Sequence, residues 1–240
     1  MNIWDTAIYV WFGLTILGAA WVAYDLYTRT PAMSVMKPGW ILVCLYMGPV
    51  GVAIYLATCR PPQPGLDAHD AYIKPLWRQA AGSAVHCVAG DATGVIFASS
   101  LAAYFHVASA LDVTPEYTFG FLFGLCIFQA LFMKAMLGGY WQAVRKTILS
   151  EWLSMNMVMA GMIPVMVILM KHVPAADGPL SPRYWFIMQL AAIVGYAVGY
   201  PINYWLVGQG IKHGMMTQRP GQGEMGDAHA MPMEHHHADK

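Results

Sequence analysis

The sequence predicts an all-α integral membrane protein, a bundle of six transmembrane helices. Of its 240 residues, 58% are hydrophobic and only 11% are charged, whereas soluble domains carry about 25% charged residues. Six apolar stretches are each long enough to cross a bilayer, which takes roughly 20 helical residues. We therefore divide the chain into a transmembrane bundle over residues 1–214 and a polar, disordered tail over residues 215–240.

The boundaries of the helices follow from where apolar runs meet polar or turn-forming residues. Pro49 predicts a kink in the second helix, and Gly199-Tyr200-Pro201 predicts one in the sixth. Gly138 and Gly139 should end or bend the fourth helix. The basic segment 140–150 is either an interfacial segment or a helical extension, and residues 60–75 and 107–116 are predicted loops. The six helices are expected at residues 5–27, 39–58, 77–105, 117–137, 152–172 and 184–207.

Basic residues orient this bundle, because cytoplasmic loops are rich in Lys and Arg. With the N-terminus inside, nine Lys and Arg residues fall on the cytoplasmic side and four on the other. This count predicts a multi-pass protein of the inner (plasma) membrane with both termini in the cytoplasm. Only the loop after the first helix, with Arg29 and Lys37, disagrees.

Charge and cysteine content exclude several functions. The chain has 13 basic and 13 acidic residues and no basic cluster, so we expect no nucleic-acid partner. Its four cysteines are scattered without a C-x-x-C pair. That pattern does not favour thiol–disulfide exchange or a zinc ribbon.

The third predicted helix carries polar groups at membrane depth. Cys87 and Asp91 are four residues apart and share a helix face, and His86 lies about 100° away. A carboxylate at the bilayer centre costs at least about 2.5–3.5 kcal/mol, so it should face protein and is a functional candidate. Gly90 and Gly94 form a G-x-x-x-G pair that permits close helix approach. In the alternative interpretation, Asp91 bonds helices together and His86 is an ordinary core residue.

The fifth predicted helix carries a methionine stripe. Its members recur three or four residues apart along one face, and they are Met155, Met159, Met162, Met166 and Met170. Thioethers are soft ligands that suit Cu(I). Methionine is also an adaptable core residue, so the stripe can equally be packing.

The tail has a composition typical of metal binding. Its potential donors are His229, Met231, Met233, His235, His236 and His237. It has no apolar periodicity and should not fold alone. A low-complexity end without function is the alternative.

Two segments resemble an uncharacterised family of bacterial and archaeal polytopic membrane proteins. They are His86-Cys87-x-x-Gly90-x-x-x-Gly94 and Gly199-Tyr200-Pro201-x-Asn203-Tyr204-Trp205-Leu206-Val207-x-x-Gly210-Ile211-Lys212. The pair Phe128-Gln129 and the stretch 151–161 are also similar, and the resemblance covers residues 75–215. Family members sometimes occur with copper-related domains, so the resemblance implies a membrane location and a weak association with copper, but no activity. Many members have cysteine where this chain has Asp91, which would turn a Cys/Cys site into a harder Cys/Asp site.

The leading hypothesis is a membrane protein that binds or handles a soft transition metal, with copper favoured. His86, Cys87 and Asp91 would form an intramembrane site. The third and fifth helices should be neighbours, with Met159 or Met162 facing Cys87 or Asp91 at similar depth. The methionine stripe would be a thioether track, and the tail a cytoplasmic donor or acceptor. Partners would be the lipid bilayer and a metal donor or acceptor protein. A second hypothesis is a structural or assembly subunit in which these residues only pack helices.

A third hypothesis is an intramembrane aspartyl protease, whose paired carboxylates share a proton. Asp25 and Asp91 would form the pair. The match is poor, because Val88 stands where the protease pattern has glycine and Asp25 lies near a helix end. An enzyme is therefore less favoured than a binding protein.

Overall fold

Apolar helices make up the regular structure of the protein. The computed structural model describes residues 3–105, 109–174, 176 and 178–218, and the regular elements in this part of the chain are all helices. They are α1 (Ile3–Thr28), α2 (Met36–Met47), α3 (Pro49–Thr58), α4 (Leu66–Ile73), α5 (Leu76–Tyr104), α6 (Ser109–Leu122), a π-helical segment (Phe123–Gln129), α7 (Ala130–Leu137), α8 (Tyr140–His172) and α9 (Pro182–Gly208).

Four helices in the described part of the chain, α1, α5, α8 and α9, are long and apolar enough to cross a membrane. The outer face of α1 leaves Val10, Leu14 and Leu17 more than half exposed. A contiguous apolar surface of this kind suits lipid better than water. The predicted class, a helical membrane protein, is confirmed at this level.

Helix α5 is the centre of the bundle and contacts α2, α6, the π-helical segment, α8 and α9. Two glycines allow one side of it to approach its neighbours closely. A Cβ on Gly90 would stand 2.7 Å from Gly124 Cα, and one on Gly94 would overlap the backbone of Phe119. The G-x-x-x-G pair is therefore a close-packing face, as the sequence predicted.

The second predicted helix is instead a hairpin of two short helices. α2 and α3 have 12 and 10 residues, about 18 and 15 Å, so neither can cross a core of about 30 Å. Between them Gly48 adopts φ 57°, a conformation that glycine tolerates best. Gly51 packs on the backbone of Cys44, and the rings of Trp40 and Tyr55 lie 5.4 Å apart. α3 therefore folds back along α2 instead of continuing it.

The hairpin begins and ends at one end of the bundle, where α1 also ends. Arg60, just after α3, donates a 3.0 Å hydrogen bond to Asp25 in the last turns of α1. Ala32, just after α1, forms a β-bridge with Thr217, which follows α9. We call this the lower end and define it by Asp25, Ala32, Arg60 and Thr217.

The first residues of α1 lie at the opposite, upper end, which we define by Asp5 and Arg183. These two side chains form an ion pair of 2.8 Å, and Arg183 opens α9. Because α9 runs from there to the lower end, the first and last described residues lie at opposite ends of the bundle. This differs from the predicted placement of both termini on one side, because the α2–α3 hairpin does not cross the bundle.

The other boundaries agree with the sequence in part. Gly138 and Gly139 have positive φ and end α7, as predicted. Segment 140–150 is a helical extension, since α8 runs unbroken from Tyr140. Two predicted loops are partly helical, because α4 lies within 60–75 and α6 begins inside 107–116. α4 forms because it buries His69 and Ile73.

The beginning of the predicted tail packs against the bundle. Met215 is buried against Gly82, and Thr217 Oγ1 lies 2.6 Å from His69 Nδ1. The remaining tail, including its six potential metal donors, lies outside the described residues. Those donors are His229, Met231, Met233, His235, His236 and His237.

Candidate functional site

A thiol, an ammonium and a carboxylate meet in the interior of the bundle. Lys212 Nζ lies 3.1 Å from Glu151 Oε2 and in direct contact with Cys87 Sγ. Cys87 Sγ lies 3.5 Å from the same Glu151 oxygen. Cys87 and Glu151 are completely buried, and Lys212 is 5% exposed. We call these three residues the Cys–Lys–Glu cluster.

Lys212 reaches the cluster because the chain turns back after α9. Gly210 adopts φ 68°, and the Lys212 amide donates to the Leu206 carbonyl at 3.2 Å. Burial alone would lower the pKa of Lys212, but Cys87 and Glu151 beside it outweigh burial and raise that pKa above its ordinary value. The side chain is therefore a charged ammonium held inside the bundle.

A hydrogen-bonded network joins the thiol to three helices. Asn203 in α9 donates to Ser154 Oγ at 2.7 Å, and Ser83 in α5 donates to Asn203 Oδ1 at 3.1 Å. Ser154 in α8 donates to Cys87 Sγ at 3.3 Å. The Cys87 sulfur thus accepts hydrogen bonds from a hydroxyl and an ammonium, and it lies 3.5 Å from a carboxylate oxygen in a completely buried site.

Asp91 lies one turn further along α5 and is completely buried. Among the described residues, neither of its carboxylate oxygens nor Glu151 Oε1 has a hydrogen-bonding partner. Asp91 Oδ1 and Glu151 Oε1 both lie within 2.9 Å of the point where a Cβ on Gly124 would stand. Gly124 belongs to the π-helical segment, a rare local geometry that is frequent at functional sites.

His86 points toward a different neighbour. Its ring lies edge-on to Phe128, with the two centroids 5.8 Å apart. It also lines a narrow cavity that runs past Ser83 and Lys212. His86 is therefore placed beside the cluster, on an adjacent face of α5 from Cys87.

The methionine stripe of α8 faces the interior, since Met155, Met159, Met162 and Met166 are all buried. α5 and α8 are neighbours, as expected. However, the α8 residues that contact Cys87 are Glu151 and Ser154, and the methionine at the level of Asp91 is Met155. Met159 or Met162 was expected to face Cys87 or Asp91. Ser154 lies five residues before Met159, about 7.5 Å along the axis, so the expected register is wrong by more than one turn.

The described side chains form no ready-made metal cage. Within residues 3–105, 109–174, 176 and 178–218, no three His, Cys, Asp or Glu side chains are arranged to hold a metal ion. Asp25 belongs to another cluster with Arg60 and Tyr55. The structure thus does not bring Asp25 and Asp91 together as an aspartyl protease requires.

Sequence reasoning missed Glu151, Asn203 and Lys212 as site residues. A signal existed for Glu151, because it precedes Met155 by four residues and extends the methionine stripe by one turn. Asn203 and Lys212 both stand in the segment 199–212 that resembles the family, which was the available signal. Their positions in the site depend on helix packing and on the turn after α9, which local spacing does not predict.

This arrangement defines a class, a helical membrane protein with a buried cluster of charged and nucleophilic side chains. Residues 76–212 match a family known as domain of unknown function DUF4396. The match covers more than half of the chain, so the protein belongs to this family. It extends from the first residue of α5 to Lys212 and therefore includes the whole Cys–Lys–Glu cluster. No curated protein matches the chain, and no solved structure does.

Proposed function

We propose that this protein binds Cu(I) within the membrane, at Cys87 and Glu151, and passes it on. The observation that carries this proposal is the ammonium of Lys212, held between a thiol and a carboxylate with all three buried. A site that accepts one positive charge there can accept another, and thiolate is the soft ligand that Cu(I) prefers. The metal is the transported ion. In the metal-free protein, the ammonium of Lys212 occupies the position of the cation.

Exchange of one cation for another requires no cage already formed among the described side chains. Cu(I) accepts a low coordination number, so Cys87 with one further donor suffices to start binding. Withdrawal of Lys212 would leave Glu151 unpaired, and a buried unpaired carboxylate is costly. The incoming ion restores that charge balance, while the unbonded oxygens of Asp91 offer further oxygen donors nearby. Met155 lies at the same depth as Asp91. It is the first thioether of the methionine stripe, which continues from there toward the upper end.

The contacts at the two ends of the bundle support five crossings and a re-entrant hairpin. With the lower end in the cytoplasm, nine described basic residues lie on the cytoplasmic side of the membrane and two lie on the other side. The nine are Arg29, Lys37, Arg60, Lys74, Arg78, Lys134, Arg145, Lys146 and Lys212, and the two are Lys171 and Arg183. Arg29 and Lys37 no longer disagree with the positive-inside rule. The crossings would be α1, α5, α6–α7, α8 and α9, with the N-terminus outside and the tail in the cytoplasm.

Cysteine labelling tests this topology. A membrane-impermeant maleimide applied to intact cells should label Leu180→Cys and not Ser34→Cys, since both native side chains are exposed but lie at opposite ends. Six crossings with a cytoplasmic N-terminus would instead place both positions outside. Labelling of Ser34→Cys in intact cells therefore contradicts the five-crossing arrangement.

Copper stoichiometry tests the metal site. The full-length protein is used with its six tail donors replaced by alanine, so that the bundle alone is measured. Cys87→Ser should remove one bound Cu(I) per chain, whereas Cys44→Ser should not, although Cys44 is equally buried and also free. Retention of full copper by Cys87→Ser would contradict the metal site and favour the structural role of the Asn203–Ser154–Ser83 network.

A second candidate is thiol catalysis, which the direct contact between Cys87 and Lys212 favours. An ammonium stabilises the thiolate, and Glu151 can accept a proton, so the cluster has the parts of an activated nucleophile. Iodoacetamide should then alkylate Cys87 rapidly, and Lys212→Leu should abolish this rapid reaction. If the protein also binds no copper, this result would favour thiol catalysis over the metal site.

A further inference from the structure

A narrow cavity opens at the lower end, beside the Cys–Lys–Glu cluster. It is lined by Met36, Ser83, His86, Gln129, Lys212 and His213, together with two glycines. Its volume is about 10 Å³, which is enough for roughly one water molecule or one small ion. The lining residues come from α2, α5, the π-helical segment and the turn after α9, so the cavity exists only in the assembled bundle.

The donors around this cavity are soft or intermediate. His213 is exposed and stands at its mouth, whereas Met36 and His86 are buried with 2% and 5% of their surface exposed. A thioether and two imidazoles suit Cu(I). They are also neutral ligands, which can release an ion more readily than a thiolate with a carboxylate.

The cavity leads to the proposed metal site through two of its own residues. His86 precedes Cys87 on α5, and Lys212 lines the cavity while its ammonium contacts the Cys87 thiol. An ion in the cavity would therefore stand next to the side chain that it must displace. Movement of Lys212 would open the thiol to the cavity.

We propose that this cavity is the loading site through which Cu(I) reaches Cys87 from the lower end, held first by His213 and Met36 and then by His86. This inference rests on the proposed function, because it assigns a route to the same metal. It adds a second binding position, at which the ion is held by neutral ligands before Lys212 withdraws.

The rate of copper loading tests the route. Full-length protein with its tail donors replaced is mixed with Cu(I) buffered by glutathione, and the time course of transfer is followed. The double variant Met36→Leu/His213→Gln, which keeps side-chain volume, should load about tenfold more slowly, the scale of losing an outer metal contact. Its final stoichiometry should stay that of the parent, because Cys87 and Glu151 are intact. His172→Gln is the matched control, since His172 is exposed at the end of α8, and it should load at the parent rate.

The outcomes separate the two proposals. If the double variant loads at the parent rate while Cys87→Ser still loses copper, the proposed loading cavity is contradicted and the metal site at Cys87 is supported. If the double variant reaches a lower stoichiometry, His213 and Met36 are permanent ligands and the loading role is again wrong. Copper retained by Cys87→Ser overturns the metal site itself, whatever the loading rate.

Discussion

Two buried carboxylates of this protein differ in how completely they are bonded. Asp25 Oδ2 accepts hydrogen bonds from Tyr55 at 2.6 Å and from Thr30 at 2.8 Å. Its other oxygen accepts from Arg60 at 3.0 Å. Asp91 has the same buried chemistry, yet among the described residues neither of its oxygens has a partner.

The difference separates a structural charge from a functional one. Native proteins bond nearly all buried polar groups, so each exception calls for an explanation. Around Asp25, the bonds tie the end of α1 to the hairpin and stabilise the lower end. Around Asp91 and Glu151, three of the four carboxylate oxygens remain unbonded within the described chain. These unbonded oxygens are retained for a purpose other than stability, which we assign to the binding of a cation.

The largest expected effect is on stability, at the fully bonded cluster. Asp25→Ala removes the acceptor of three hydrogen bonds. It leaves Arg60 without its carboxylate partner, and Tyr55 with only its 3.0 Å hydrogen bond to Thr30. Loss of one partner of a buried pair costs about 3–5 kcal/mol, and the value here should lie near the lower figure, because 24% of the Arg60 side chain is exposed. Thermal or denaturant unfolding in detergent micelles measures this loss.

Copper binding should be unchanged in Asp25→Ala, provided that it is measured below the unfolding transition. Asp67→Ala is the matched control, because Asp67 is exposed in the first turn of α4. The free energy of unfolding of Asp67→Ala should fall by less than about 1 kcal/mol, the size of the interaction between a carboxylate and a helix dipole. Equal losses in the two variants would mean that the Asp25 bonds do not stabilise the lower end.

The long helices could be predicted from the sequence, and the hairpin could not. α1, α5 and α9 begin and end within two residues of their predicted bounds, because length and hydropathy decide membrane helices. A kinked helix and a hairpin have the same local pattern around Gly48 and Pro49. Long-range contacts decide between them. Gln189 in α9 donates to the Leu45 carbonyl at 2.6 Å and so satisfies a backbone group near the turn, inside the bundle.

The site was predictable only on its own helix. Cys87 and Asp91 were found because a thiol and a carboxylate interrupt an apolar run. Glu151 was missed because it lies one residue before the predicted start of its helix, next to a basic segment that looked interfacial. Lys212 was recognised only as a charge that orients the bundle and as the last residue of a segment that resembles the family. Its position depends on Gly210, where a positive φ turns the chain back toward the interior.

The next effect in size is on metal affinity, at the lysine. Lys212→Leu removes the tethered cation that competes for the thiol, without adding a metal ligand. Cu(I) affinity should rise about tenfold, or 1.4 kcal/mol, when it is measured by competition with a Cu(I) chelator. Lys212→Arg keeps the positive charge and should bring no such gain. A weaker affinity in Lys212→Leu would make the lysine a part of the metal site rather than a competitor.

The smallest expected effect on stability is at Asp91. This variant is the most direct test of the comparison between Asp91 and Asp25. Asp91→Asn replaces a carboxyl group by an amide and removes no hydrogen bond between described residues. The new amide can donate to Glu151 Oε1, which lies across Gly124. The free energy of unfolding should therefore change by less than about 1 kcal/mol, since a gained hydrogen bond contributes about that much. Cu(I) affinity should fall, because a carboxyl group can lose its proton beside a bound cation and an amide cannot. Both quantities are measured on the same protein in micelles. A loss of stability as large as that of Asp25→Ala, with copper affinity unchanged, would show that both carboxylates are structural.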